Sequence, residues 1–145
     1  MALVEVVTLP ATAPAVLTTA LSFVRSTGKT PVLTTDTPGF IVNRLLVPQL
    51  GAAIALVEAG VATVADVDTA MRLGAGHPMG PLHLADYVGL DTCLNVLSNW
   101  HRDFPNVTEF RVPPLLRAKV AAGDVGRKSG RGFYHWKGDE IGAPV

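Results

Sequence analysis

Cysteine is almost absent from this sequence, since Cys93 is the only one among 145 residues. No intrachain disulfide and no cysteine-based metal site can therefore form. The apolar neighbours of Cys93, among them Leu94 and Val96, indicate an ordinary buried thiol. Such sparse cysteine usage is typical of reducing compartments, and we expect a cytoplasmic protein.

An excess of charge of either sign is also lacking, because 12 Lys and Arg residues balance 12 Asp and Glu residues. A chain without net charge has no overall field to attract nucleic acid or an anionic membrane. The most apolar run, residues 45–57, is interrupted by Gln49 and is too short to cross a bilayer. Hydrophobic residues make up 48% of the chain and charged residues 17%. This composition predicts a soluble folded protein with a buried core.

The N-terminal part has the pattern of a single βαβ unit. Residues 3–7 and 31–35 are rich in β-branched side chains and predict two strands. Between them, Pro14 favours the start of a helix and Gly28 its end. A crossover of this length makes the strands parallel. Two parallel strands are an incomplete sheet, so we expect further strands from an upstream segment or from another copy of the protein.

The pattern becomes all-helical after residue 37. Apolar residues recur at helical spacing over residues 40–59, and Gly60 ends this long helix. Pro48 lies inside the helix, where it removes one backbone donor and should cause a kink. Shorter helices are predicted over residues 63–73, over residues 81–101 with a break at Gly89, and over residues 113–123. The chain is therefore predicted to be mainly α, with one βαβ unit in front.

Two glycine-rich segments come close to phosphate-binding motifs without meeting their requirements. Residues 74–80 are one residue longer than G-x-G-x-x-G and follow a predicted helix, whereas that motif follows a strand. Residues 126–129 lack the Gly-Lys pair and the strand–loop–helix context of a P-loop. We therefore expect no cofactor-binding residues in this chain.

Few polar residues are placed for chemistry. His83 and Asp86 lie one helical turn apart, a spacing that can begin a metal or acid–base site, but no third ligand has suitable spacing and we expect no metal. Asn43 lies at the start of the long helix, where its amide could donate to a carbonyl or alkoxide oxygen. It could instead satisfy the backbone of the preceding turn. The residues alone leave both interpretations open.

Five segments together resemble the 3-hydroxyacyl-CoA dehydrogenase family. They read DTPGFIVNRLLVP over residues 36–48, DVDTAM and LGAGHPMGP within residues 66–81, DYVGLD over residues 86–91, and GRKSGRGFY over residues 126–134. The segments occur in the family's order and without large gaps. Because several independent motifs agree, the resemblance is specific, and it extends from about residue 3 to residue 136.

The resemblance implies a fold and an activity. Residues 38–145 would form a helical substrate-binding and dimerisation domain, like the C-terminal domain of 6-phosphogluconate dehydrogenase. Residues 1–37 would be the last βαβ of a truncated NAD-binding Rossmann domain. Family members oxidise (S)-3-hydroxyacyl-CoA to 3-oxoacyl-CoA with NAD, in fatty-acid β-oxidation or butanoate metabolism. By the same resemblance, Asn43 holds the oxygen on carbon 3, while Met79 and Pro81 lie near the acyl chain.

The resemblance also implies that no complete catalytic set lies in this chain, because the family's general base belongs to the upstream part of the Rossmann domain. The chain would then be inactive alone, would form a homodimer or higher oligomer, and could work with a separate Rossmann-domain half. The alternative is a stand-alone, non-catalytic protein that reuses the fold to bind acyl-CoA or to assemble with a partner. Neither interpretation involves nucleic acid or a membrane.

Overall fold

The computed structural model describes residues 1–145 and divides into two units, Met1–Leu45 and Leu46–Val145. The first unit contains strand β1 (Leu3–Thr8), helix α1 (Pro14–Ser26) and strand β2 (Thr30–Thr35). The two strands are parallel, with Leu3 opposite Thr30 and Thr8 opposite Thr35. Gly28 follows α1 with a φ of 73°, the left-handed conformation that favours glycine after a helix. The predicted βαβ unit is confirmed.

Helix α2 (Val42–Glu58) begins in the first unit and continues into the second. It starts two residues later than predicted, because Gly39 and Phe40 have φ values of 80° and 50° that a right-handed helix excludes. Four further helices follow it: α3 (Val64–Gly74), α4 (Pro81–Val88), α5 (Leu90–Asp103) and α6 (Pro114–Ala121). Gly89, with a φ of 104°, separates α4 from α5 as predicted. None of these helices combines the length and the apolar composition that crossing a membrane requires.

The C-terminal segment contains secondary structure that the sequence pattern did not predict. Strands β3 (Tyr134–Lys137) and β4 (Glu140–Pro144) form an antiparallel hairpin. Its turn contains Gly138, which has a φ of 61°. Phe133, Tyr134 and Trp136 are buried and join the core of the second unit.

The core of the second unit is built from leucine-rich faces of its helices. The fully buried members include Leu50, Ile54, Leu82, Leu97 and Leu116, with Phe133 from the C-terminal segment. Cys93 belongs to the same core, and burial raises the pKa of its thiol to about 11. The expected ordinary buried thiol is confirmed.

The Asp86 carboxylate connects α4 to the C-terminal segment. The side chain is fully buried, and its oxygens accept hydrogen bonds from the Phe133 and Tyr134 amides and from Trp136 Nε1, each at 2.9 Å. Burial raises the pKa of Asp86, and the three donors oppose this rise because they favour the charged form. Gly132 is required beside it, since a Cβ at that position would overlap the carboxylate.

Replacing Asp86 with asparagine should lower the free energy of unfolding by roughly 2–3 kcal/mol, because a carboxamide cannot accept all three hydrogen bonds and turns a donor toward them. Urea titration followed by tryptophan fluorescence measures this loss in the second unit, which contains both tryptophans. The matched control is Asp139→Asn, which alters an exposed ion pair with Arg127 and should cost less than about 0.5 kcal/mol. Equal losses in the two variants would contradict a special role for Asp86.

Candidate functional site

Asn43 lies in the first turn of α2, where its side chain is exposed. No hydrogen bond joins its amide to the preceding turn, so the backbone-satisfying interpretation is not what the structure shows. The amide is therefore available to an external oxygen at the positive end of a helix.

The turn that precedes Asn43 has an unusual backbone. Phe40 is the only non-glycine residue of the chain with a positive φ. This conformation is costly for a bulky side chain and persists only where surrounding contacts hold it. The Phe40 amide donates to the Thr37 carbonyl at 3.0 Å, and the Arg44 amide donates to the Gly39 carbonyl at 3.0 Å. These bonds fix the entry of the chain into α2.

Glu5 on β1 is a second constraint on this entry. Its Oε1 accepts hydrogen bonds from the Ile41 amide at 2.7 Å and from the Val42 amide at 3.2 Å. A carboxylate is stabilised there because the free N–H groups of a helix start carry partial positive charge. Glu5 is not among the residues that the sequence pattern predicts for the site. The available signal was a single acidic residue inside a run of β-branched residues, a position where a charge needs a partner.

The second unit contains the loop formed by Met79, Gly80 and Pro81, called the 79–81 loop below. Met79 is half-buried and Pro81 is buried at the first position of α4. Asp68 on α3 is 5% exposed, and its carboxylate accepts hydrogen bonds from the Leu82 amide at 2.7 Å and the His83 amide at 2.9 Å. The loop is therefore held at its C-terminal end by a side chain from another helix.

Pro81 also lines an apolar cavity of about 360 Å³ between α2 and α3. The other lining residues are mainly small or aliphatic and include Ala52, Leu56, Val67 and Met71. The cavity offers few hydrogen-bonding groups, so the contacts it can make are mainly hydrophobic.

His83 and Asp86 are the pair whose spacing suggested metal or acid–base chemistry. In the structure both lie against aromatic rings and hydrogen-bond donors of the C-terminal segment. The His83 ring lies 5.4 Å from the Trp136 ring and 6.2 Å from the Tyr134 ring, measured between centroids. Burial lowers the pKa of His83, against the opposing influence of Asp68 and Asp86. The Asp86 oxygens already accept three hydrogen bonds from the C-terminal segment. No group of three or more His, Cys, Asp or Glu side chains is arranged to hold a metal ion.

The two glycine-rich segments differ from phosphate-binding loops in structure as well as in sequence. Residues 74–80 connect α3 to α4, so no strand leads into them. Residues 126–129 contain a short 3₁₀ turn whose basic side chains already have acidic partners. Arg127 pairs with Asp139, and Lys128 Nζ donates to Asp91 Oδ2 at 2.6 Å.

The selected residues thus fall in different parts of the chain. Asn43 belongs to the first unit, and Met79 and Pro81 belong to the second. Within each unit, a buried or half-buried acid that the sequence pattern did not reveal fixes the local backbone: Glu5 near Asn43, and Asp68 next to the 79–81 loop.

Comparison with known families gives two adjacent matches. Residues 39–136 match the 3-hydroxyacyl-CoA dehydrogenase, C-terminal domain family. Residues 1–37 match the 3-hydroxyacyl-CoA dehydrogenase, NAD binding domain family. The first match alone covers more than half of the chain.

Individual relatives agree with these matches. The chain is 50% identical to rat mitochondrial hydroxyacyl-coenzyme A dehydrogenase, over 94% of this chain and 44% of the relative. It is 45% identical to 3-hydroxybutyryl-CoA dehydrogenase of Bradyrhizobium diazoefficiens, over 95% of this chain and 47% of the relative. The crystal structure of (S)-3-hydroxybutyryl-CoA dehydrogenase from Ralstonia eutropha is 39% identical with a TM-score of 0.89, over 94% of this chain and 48% of that one.

The chain spans about half the length of the curated relatives it matches. Its βαβ unit matches the family's NAD-binding domain, and the helices from α2 onward match the family's C-terminal domain. Sequence motifs, fold and relatives agree, and this chain belongs to the 3-hydroxyacyl-CoA dehydrogenase family.

Proposed function

We propose that this chain is the substrate-binding and dimer-forming part of an NAD-dependent (S)-3-hydroxyacyl-CoA dehydrogenase, which interconverts 3-hydroxyacyl-CoA and 3-oxoacyl-CoA. The match of residues 39–136 to the family's C-terminal domain carries the proposal. Residues 1–37 would belong to the NAD-binding domain and residues 38–145 to the helical domain. We further propose a role in fatty-acid β-oxidation or butanoate metabolism. We propose a cytoplasmic location, since an unpaired cysteine suits a reducing compartment.

Asn43 is proposed to hold the oxygen on carbon 3 of the substrate. Its exposed amide has no partner in the protein, and the hydrogen bonds that Glu5 accepts from the start of α2 restrict its position. A donor fixed before the substrate arrives stabilises a developing negative charge without having to reorganise. Met79 and Pro81 are proposed to contact the acyl chain, which suits their apolar character and the cavity beside Pro81.

We propose that NAD is held mainly by residues outside this chain. A dinucleotide site needs a strand, a glycine-rich turn and a helix in succession, and neither glycine-rich segment here has that context. Further parts of the NAD-binding domain would therefore hold NAD, which would supply the hydride acceptor for carbon 3. The catalytic base is assigned there as well.

The first unit has surfaces that further parts of that domain would cover. Its sheet has two strands only, so β1 and β2 each have an edge without a neighbouring strand. Helix α1 exposes Val16 and Phe23, which are 61% and 69% exposed. We propose that additional strands and helices complete this sheet, on the same polypeptide or as a separate Rossmann-domain half.

A second copy of the chain is proposed to pack against α2. The exposed side of this helix presents the small residues Ala52 and Ala55, which allow another helix to approach closely. Apolar depressions lie on both sides of it: the 360 Å³ cavity beside Pro81, and a groove of about 520 Å³ lined partly by Val112 and Pro113. Hydrophobic surface of this kind is typical of a homodimer interface.

Replacing Asn43 with alanine should weaken the binding of acetoacetyl-CoA to the chain about tenfold, because one hydrogen bond to the ligand is lost. Isothermal titration calorimetry measures the dissociation constant. The matched control is Asn95→Ala, which removes an exposed amide from α5 and should leave binding unchanged. Equal affinities for Asn43→Ala and the unaltered chain would contradict the assignment.

The same preparation separates the two candidate functions. Adding a separately produced Rossmann-domain half, NADH and acetoacetyl-CoA should restore NADH oxidation if the chain is part of a dehydrogenase. Binding of acyl-CoA with no restored oxidation would favour the stand-alone binding protein.

Light scattering at micromolar concentration should give about twice the chain mass of 15.2 kDa. Ala52→Glu should yield a monomer, because it places a charge in the proposed interface. Ala121→Glu, at an exposed position on α6, is the matched control and should remain dimeric. A monomeric mass for the unaltered chain would overturn the proposed dimer.

A further inference from the structure

Three donors from two separate elements converge on the Asp68 carboxylate. The Leu82 amide donates to Oδ1 at 2.7 Å, and the His83 amide donates to Oδ2 at 2.9 Å. The Tyr134 hydroxyl, from β3, donates to Oδ2 at 2.8 Å. Both Asp68 and Tyr134 are buried, at 5% and 8% exposure. A carboxylate bonded in this way cannot rotate without leaving a buried donor unsatisfied.

These bonds replace the usual cap of α4. The first amides of a helix have no partner inside the helix, and a Ser, Thr, Asp or Asn side chain at the N-cap commonly accepts from one of them. The N-cap of α4 is Gly80, which has no side chain that could accept a hydrogen bond from these amides. Asp68 takes over this function from α3. A Cβ on Gly80 would overlap the Asp68 side chain, so the glycine is what allows the carboxylate to approach.

Tyr134 fixes the other side of the carboxylate. Its amide donates to Asp86 Oδ2 at 2.9 Å, which anchors the residue in the C-terminal segment. Burial raises the pKa of its phenol, and the bond to Asp68 acts in the same direction, so the hydroxyl stays a donor at neutral pH. The hydroxyl therefore links the C-terminal segment to the first turn of α4 through one shared carboxylate.

We infer that Asp68 and Tyr134 are positioning residues that fix the 79–81 loop and thereby set which acyl-chain lengths the chain accepts. The inference rests on the proposed function, in which Met79 and Pro81 contact the acyl chain. Pro81 immediately precedes the two amides that Asp68 holds, so movement of the carboxylate changes where Pro81 and Met79 lie. Hydrophobic contacts depend on close fit. A small displacement of Met79 and Pro81 therefore changes the binding free energy that each added methylene of the acyl chain contributes.

The test compares Tyr134→Phe with the unaltered chain. This change keeps the buried ring and removes only the hydroxyl that bonds Asp68. Dissociation constants for acetoacetyl-CoA and 3-oxodecanoyl-CoA, measured by calorimetry, should change in ratio by about threefold or more. Amide exchange followed by NMR should be about tenfold faster at Leu82 and His83. Gly80→Ala, which displaces Asp68 from the opposite side, should shift the same ratio.

The matched control is Ser129→Ala, which removes a hydroxyl of the same C-terminal segment that bonds neither carboxylate. This hydroxyl accepts from the Val125 amide at 3.0 Å and donates to the Arg131 carbonyl at 2.8 Å. The change should lower the unfolding temperature yet leave the ratio of dissociation constants and the exchange of Leu82 and His83 unchanged. Equal shifts in ratio for Tyr134→Phe and Ser129→Ala would mean general loosening and would overturn the inference.

Two other outcomes are distinguishable. If the unaltered chain binds both thioesters and Tyr134→Phe leaves the ratio and the exchange rates unchanged, the positioning role is wrong and the proposed function stands. If the unaltered chain binds neither thioester, the proposed function is overturned together with the inference.

Discussion

The hydrogen bonds from the C-terminal segment to the buried Asp86 carboxylate are the interaction on which the second unit depends. A fully buried carboxylate is costly to remove from water unless donors compensate it, and Asp86 has three. Two of these donors are consecutive backbone amides, so the bonds determine the path of the chain as well as its attachment. Phe133 is thereby placed in the core, where it is 1% exposed.

From this attachment the effects extend to the candidate site. Tyr134, held by Asp86 through its amide, holds Asp68 through its hydroxyl, and Asp68 in turn caps α4 behind the 79–81 loop. Two glycines make room for the carboxylates, Gly132 beside Asp86 and Gly80 beside Asp68. The first unit uses the same chemistry, since Glu5 holds the start of α2 next to Asn43. In each unit, therefore, a buried or half-buried acid that accepts from backbone amides fixes the backbone beside a residue proposed to contact substrate.

Much of the fold could be predicted from the sequence because its signals are local. The β-branched runs of the βαβ unit, the end of α1 at Gly28 and the break at Gly89 each depend on neighbouring residues. The start of α2 was displaced by two residues, because the backbone at Phe40 follows from contacts that sequence spacing does not show.

The network of acids could not be predicted in the same way. Asp86 and Phe133 are 47 positions apart, and Asp68 and Tyr134 are 66 positions apart, so no periodicity connects them. The helical spacing of His83 and Asp86 suggested a metal or acid–base site. In the structure Asp86 instead accepts three hydrogen bonds from the C-terminal segment. The β3–β4 hairpin was missed because its strands are short and the segment before them is rich in glycine.

Native-state amide exchange at Phe133 and Tyr134, measured over a series of low denaturant concentrations, tests whether Asp86 holds the C-terminal segment in the second unit. If the Asp86 carboxylate holds the C-terminal segment as an integral part of the second unit, both amides should exchange only when that unit unfolds globally. Their free energies of opening should then equal the free energy of unfolding measured by tryptophan fluorescence. Exchange through local opening, at free energies well below that value and independent of denaturant, would show that the segment opens separately and would contradict this role of Asp86.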